Sequence, residues 1–192
     1  MQAPRLPTNE TERIQALRDL LILDTQPEER FDAITCYAQA RFQVEIALIS
    51  LVDTSRQWFK SACGLNASET PREISFCGHA ILEDAVLEVR NALLDPRFAD
   101  NPLVVGPPHI RFYAGAPLKL SSGHNVGTLC LIDSRPKYLL AEELDHLRVL
   151  AHMVSMELEH QGRIDDCSQN CLYGLLPIQC PYKDTKYELP DY

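Results

Sequence analysis

Apolar side chains recur at helical spacing near both ends of the chain, and between them the period shortens to that of strands. Ile14, Leu17, Leu20 and Leu21 form a stripe that predicts a first helix over residues 12–21, with Thr11 as its cap. Thr25 and Pro27 are the expected start of a second helix, because proline's missing amide costs nothing in a first turn. Its buried face is Phe31, Ile34, Ala38 and Phe42. From Val44 the run VEIALISLVD is compact, branched and nearly all apolar, which predicts a central strand. A turn at Asp53, Thr54 and Ser55 returns RQWFKSACG as its hairpin partner.

Residues 65–110 are less regular. SFCGHAILED predicts a short helix starting near Ser75, and VLEVRNAL a brief edge strand. Pro96, Pro102, Pro107 and Pro108 argue against a long element, leaving an ordered connection that walls a pocket or covers a sheet face. Two apolar segments, IRFYAGAPLKL and VGTLCLID, flank the turn SSGHN and predict the clearest hairpin. Gly115 and Gly127 suit close backbone approach, and Pro117 argues against full pairing at its end of the strand. EELDHLRVLAHMVSMELEH then predicts a closing helix. The opening and closing helices are expected together on one side of the sheet, their spare apolar residues serving a homodimer seam or internal packing alone.

Composition narrows the class. The chain has 192 residues, 45% of them hydrophobic, enough for one domain with a sizeable core. The expected division is a lead over residues 1–11 that enters the domain loosely, a domain over 12–160 and a C-terminal extension over 161–192. That extension reads as a docked segment, a partner-binding tail or disorder. A formal charge of −9 with no basic cluster disfavours nucleic acid. No apolar run approaches the roughly eighteen residues of a membrane helix, and the amino terminus lacks a secretory signal, so the expected location is the cytoplasm. Cys36, Cys63, Cys77 and Cys130 sit in or beside apolar stretches and read as reduced, buried thiols. Cys167, Cys171 and Cys180 lack the spacing of a zinc module.

Cys77–Gly78–His79 is the conspicuous polar triplet. Gly78 allows a turn that points both side chains inward, but nucleophilic catalysis also needs an orienting group and an oxyanion site. His109 and His124 are not placed beside the triplet by any pattern, so no metal centre is predicted, and no cofactor is assigned. The carboxylates of Glu83, Asp84, Glu88, Asp95 and Asp100 read as turn and surface groups.

Taken in order, RFDAITCYAQARFQVEIALISLVD, RQWFKSACGL, ETPREISFCGHAIL, DPRFADNPLV, IRFYAGAPLKL and VGTLCLID resemble the GAF domain family. They are most similar to its bacterial sensory branch, often joined to diguanylate cyclase or histidine kinase modules. The resemblance covers residues 12–160. It implies an α+β sandwich: a central antiparallel sheet with terminal helices on one face and a loop-bordered pocket on the other. Carried onto this chain, it implies pocket-lining roles for Trp58, Phe59, Phe76, Cys77, His79, Phe98, Phe112 and Tyr113. Trp58 is favoured for its area and its single donor, whereas Phe59 and Phe112 suit the core. The motifs of bilin, cyclic-nucleotide and methionine sulfoxide reductase GAF domains are not matched.

The function implied is a stand-alone sensory or regulatory module, not itself an enzyme, that binds a small molecule. It would act through a homodimer or a signalling-protein partner, since no output module follows in these residues. Two alternatives stay open: an interaction scaffold that binds no ligand, and a thiol-dependent enzyme centred on Cys77.

Overall fold

The computed structural model describes residues 1–160 and 187–189. The chain opens with α1 (Glu10–Asp19) and α2 (Glu29–Phe42), then forms the hairpin β1 (Ile46–Val52) and β2 (Arg56–Cys63). Short strands β3 (Leu65–Asn66) and β4 (Glu69–Pro71) lead through a 3-10 turn at Arg72–Ile74 into α3 (Phe76–Ala80). β5 (Leu87–Val89) and α4 (Pro102–Val105) precede the second hairpin, β6 (Phe112–Lys119) and β7 (Asn125–Asp133). The long α5 (Ala141–Glu159) follows, and β8 (Tyr187–Glu188) pairs in parallel with β3. No helix among the described residues is long and apolar enough to cross a membrane.

The main sheet has the antiparallel order β4-β2-β1-β7-β6-β5. β5 pairs only with Tyr113, Ala114 and Gly115, so Pro117 needs no amide on that side of β6 and fits there. Alternation on the central strands sorts the core into two layers. Ala47, Ile49 and Leu51 of β1 meet Leu17 of α1, Phe31, Ala38 and Phe42 of α2, and Leu147, Leu150 and Val154 of α5. Ile46, Leu48 and Val52 point the other way, against α3 and the segment that runs to Ile110. The opening and closing helices thus share one face, as their spacing predicts. Each fully buried Leu, Ile or Phe contributes about 2 kcal/mol by leaving water, so both layers hold the sheet.

Three local expectations change. α1 begins before Thr11, with Asn9 at its cap position and no side-chain cap bond. α2 begins at Glu29, not at Thr25 and Pro27. Lys60 Nζ, fully buried, draws residues 25–28 across β2: it donates to Thr25 Oγ1 and to Gln26 O, both at 2.8 Å, and pairs with Glu28. The third concerns the lead. Gln2 N donates to Arg97 O at 3.0 Å, and the Gln2 carbonyl lies 3.0 Å from His79 Nε2. The lead is therefore docked over α3. The three-cysteine segment of the tail lies outside the described residues.

Candidate functional site

The face away from the long helices is covered by α3 and the segment between α3 and β6. Ser75 starts α3, its Oγ accepting from Gly78 N at 3.0 Å. Asn101 starts α4 in the same way, accepting from Leu103 N at 2.9 Å, while its Nδ2 donates to Ile74 O at 2.9 Å. These two caps fix α3 and α4 beside each other. Phe76 then stacks on Phe98 with centroids 4.0 Å apart and meets Tyr113 at 5.1 Å, and the His79 ring stands edge-on to Phe98 at 4.9 Å. Burial holds His79 below the usual histidine range, and the nearby Arg97 adds to that; the Gln2 carbonyl opposes it.

Phe76, Cys77, His79, Phe98 and Tyr113 are thus brought together, with Phe59 in the same apolar layer. Trp58 and Phe112 are not. Both lie in the layer beneath α1, α2 and α5. The reason is the strand period: Trp58 neighbours Phe59 on β2 and Phe112 neighbours Tyr113 on β6, so each pair must face opposite ways.

Beneath α3 runs a line of buried polar groups that the apolar look of the strands concealed. Ser50 on β1 stands opposite Thr128 on β7, and Cys130 follows two residues along β7 on the same face. Ser50 Oγ donates to Gln57 Oε1 at 3.2 Å, and Gln57 Nε2 donates to Thr70 Oγ1 at 2.6 Å. A lone hydroxyl residue within an apolar strand, Ser50 in ALISLV and Thr128 in GTLCLI, is the signal that could have found them.

The line ends in two thiols. Cys77 Sγ lies 3.8 Å from Cys130 Sγ, and the Tyr113 hydroxyl donates to Cys77 Sγ at 3.4 Å. Tyr113 reaches it by lying flat over Gly115, the residue opposite Cys130: a Cβ on Gly115 would sit 2.1 Å from the Tyr113 hydroxyl. Burial opposes ionisation of Cys77. The neighbouring Cys130, Thr128, Tyr113 and Ser50 groups outweigh it and hold the thiol below the usual cysteine range. Cys130 moves the opposite way, because a charged Cys77 holds the proton on its neighbour. Thr128 Oγ1 is buried and makes no hydrogen bond of normal geometry, although it faces the thiols closely enough to stabilise charge there. Among the described residues no group of three or more His, Cys, Asp or Glu side chains could hold a metal ion.

A second cluster links this layer to the helices. Glu10 on α1 receives Arg13 through two bonds, at 2.8 and 2.9 Å, and Arg72 from the 3-10 turn just before α3. Arg13 also donates to Val52 O at 2.7 Å and Arg72 to Asp53 O at 2.9 Å, so both reach the β1–β2 turn. Burial alone would raise the Glu10 carboxyl, but the two guanidinium groups hold it at about 2. Arg72 Nε and Nη2 stay buried without partners, which makes this cluster short of negative charge.

The sequence model described as "GAF domain" matches residues 26–158. The chain is 43% identical over 183 residues to cyclic di-GMP phosphodiesterase PA2567 of Pseudomonas aeruginosa, covering 93% of this chain and 31% of that protein. It therefore spans about a third of the relative's length. Among solved structures, the GAF domain of a phosphoenolpyruvate-protein phosphotransferase from Coxiella burnetii aligns with a TM-score of 0.59 at 15% identity, over 80% of this chain and 96% of that one. Its counterpart from Acinetobacter aligns with a TM-score of 0.57 at 17% identity, over 78% and 94%. At such identities these two speak for the fold alone. The chain belongs to the GAF domain family.

Proposed function

We propose that this GAF domain is a sensory or regulatory module that receives a small molecule on the α3 side of its sheet and passes its state to the terminal helices. The observation that carries the reading is the Arg72 bridge. It joins the turn before α3 to Glu10 on α1, so a shift of α3 bears directly on the opening helix. Family membership supports a regulatory role, and the Pseudomonas relative suggests cyclic di-GMP turnover as the class of output such a module serves. Val149, Met153 and Met156 are exposed on α5 at spacings of four and three, the pattern of a helix seam. They support pairing with a second copy of this chain or with a signalling partner. The expected setting is the cytoplasm.

One observation favours a different reading. The stacked Phe76 and Phe98 and the nearby Tyr113 occupy the space they would otherwise line, as in a scaffold that binds nothing there. Native mass spectrometry of protein isolated without refolding separates the two. The sensing reading expects a retained small molecule whose affinity falls about tenfold when one hydrogen-bonding group is removed, in Ser50→Ala or His79→Ala, with the fold intact. Protein that emerges empty from native extracts, whether wild type or variant, supports the scaffold.

A further inference from the structure

Ligand binding leaves the two thiols beneath α3 unexplained. A pair of buried thiols close to each other, with hydroxyl groups gathered around one of them, is more than packing requires. We propose that Cys77 and Cys130 form a peroxide-reactive dithiol, in which a small hydroperoxide oxidises Cys77 and Cys130 converts the product to a disulfide. The inference rests on the regulatory reading of the same site and gives it an oxidant as input.

The geometry supplies each part. The sulfurs are 3.8 Å apart and both cysteines are free, one on a short helix and one on a central strand. Tyr113 donates to Cys77 at 3.4 Å, and the buried Thr128 hydroxyl, without a hydrogen-bond partner, faces the pair and can serve oxygen or sulfur as charge develops. The Tyr113 bond and the nearby Thr128 hydroxyl favour the thiolate, the form that attacks peroxides. With Cys77 2% and Cys130 0% exposed, the site selects an oxidant near the size of water, hydrogen peroxide, over bulky organic hydroperoxides.

The chemistry balances. The Cys77 thiolate attacks one peroxide oxygen; an S–O bond forms, the O–O bond breaks, and the departing hydroxide takes the proton that Cys77 released. Cys130 then attacks Cys77 sulfur. The S–S bond forms, the S–O bond breaks, and the second hydroxide takes the Cys130 proton. Two thiols and one hydrogen peroxide give one disulfide and two waters, the sulfurs losing two electrons to oxygen.

The sulfurs must close by about 1.8 Å to reach disulfide length. β7 is held between β1 and β6, so the closure falls on the five-residue α3. Ser75 and the Arg72 turn lie immediately before α3, and Arg72 is bound to Glu10. Oxidation would therefore pull on the same bridge that ligand binding uses.

The test treats reduced full-length protein with hydrogen peroxide, quenches it, alkylates it in denaturant and maps the peptides. A Cys77–Cys130 link is expected, reversed by dithiothreitol and absent in Cys77→Ser. In Cys130→Ser, Cys77 should be trapped as a sulfenic acid by dimedone, and tert-butyl hydroperoxide should oxidise wild-type Cys77 at least about tenfold more slowly than hydrogen peroxide. The partly buried Cys36, whose sulfur lies 3.4 Å from that of Cys63, is the internal comparison. Cys77 left fully alkylatable at a dose that oxidises Cys36, or linked to any cysteine other than Cys130, overturns the proposal. Mapping of the wild type decides this even where a variant fails to fold. No small molecule is present, so failed ligand capture and failed oxidation are separate results.

Discussion

Glu10→Gln is expected to destabilise the protein by about 3 kcal/mol, because it leaves two buried guanidinium groups without their shared anion. Arg13 is 1% exposed and Arg72 is 5% exposed, and Arg72 already has two donors without partners. The same carboxylate gives stability an acid limb. Its value falls from 4.5 in the unfolded chain to about 2 in the fold. A lowered carboxylate contributes stability that is complete above about pH 4.5 and is lost as pH falls toward 2. Other carboxylates, Asp95 among them, are also held low by arginine, so the wild type alone does not isolate Glu10. Urea unfolding of wild type and Glu10→Gln from neutral pH downward does: the gap between them should narrow steadily below pH 4.5. Parallel curves would mean that Glu10 is not held by the two arginines.

Gly115→Ala is expected to cost about 2–3 kcal/mol and to weaken the Cys77 thiolate as well. The added Cβ would fall 2.1 Å from the Tyr113 hydroxyl, and Tyr113 is fully buried, so the ring has no free direction in which to retreat. Relief comes only by moving the phenol away from Cys77, which removes one of the donors that stabilise the charged sulfur. The thiol should then titrate higher than it does in the wild type. Thiolate ultraviolet absorbance against pH reads the shift, and denaturant unfolding reads the stability. Loss of stability with an unmoved thiolate titration would show that Tyr113 packs there without tuning the sulfur.

Much of the fold was legible because its signals are local. The continuous apolar runs of β1 and β7, the turn between β6 and β7, and the long stripe of α5 each declare a period within their own residues. The short helix beginning near Ser75 was legible in SFCGHAILED, and the structure adds the Ser75 cap. What escaped depends on distant partners. α2 starts late because Lys60, on a strand far along the chain, holds residues 25–28 extended. The lead docks because Gln2 meets Arg97 and because Gly78 leaves room for Pro4, whose Cγ would lie 2.7 Å from a Cβ there.

The candidate site shows the same division. Phe76, Cys77, His79, Phe98 and Tyr113 follow from matched segments and do gather. Trp58 was favoured for its indole, yet strand alternation sets it on the opposite face from Phe59. Reading that parity would have separated Phe112 from Tyr113 too. Cys130 and Thr128 look like ordinary strand residues until the register places them beneath α3. Arg72 gives no sequence sign of its partner, because Glu10 lies on an element that only the fold brings near.

The central claim is that the α3 side of the sheet and the opening helix move as one through Arg72 and Glu10. Amide hydrogen exchange of Glu10→Gln against wild type tests it most directly, since a bridge must transmit in both directions. Exchange should quicken at residues 72–80 together with 10–19, with α2 and the centre of β7 changing only by the loss of global stability. Acceleration confined to residues 10–19, with 72–80 as protected as before, would contradict it.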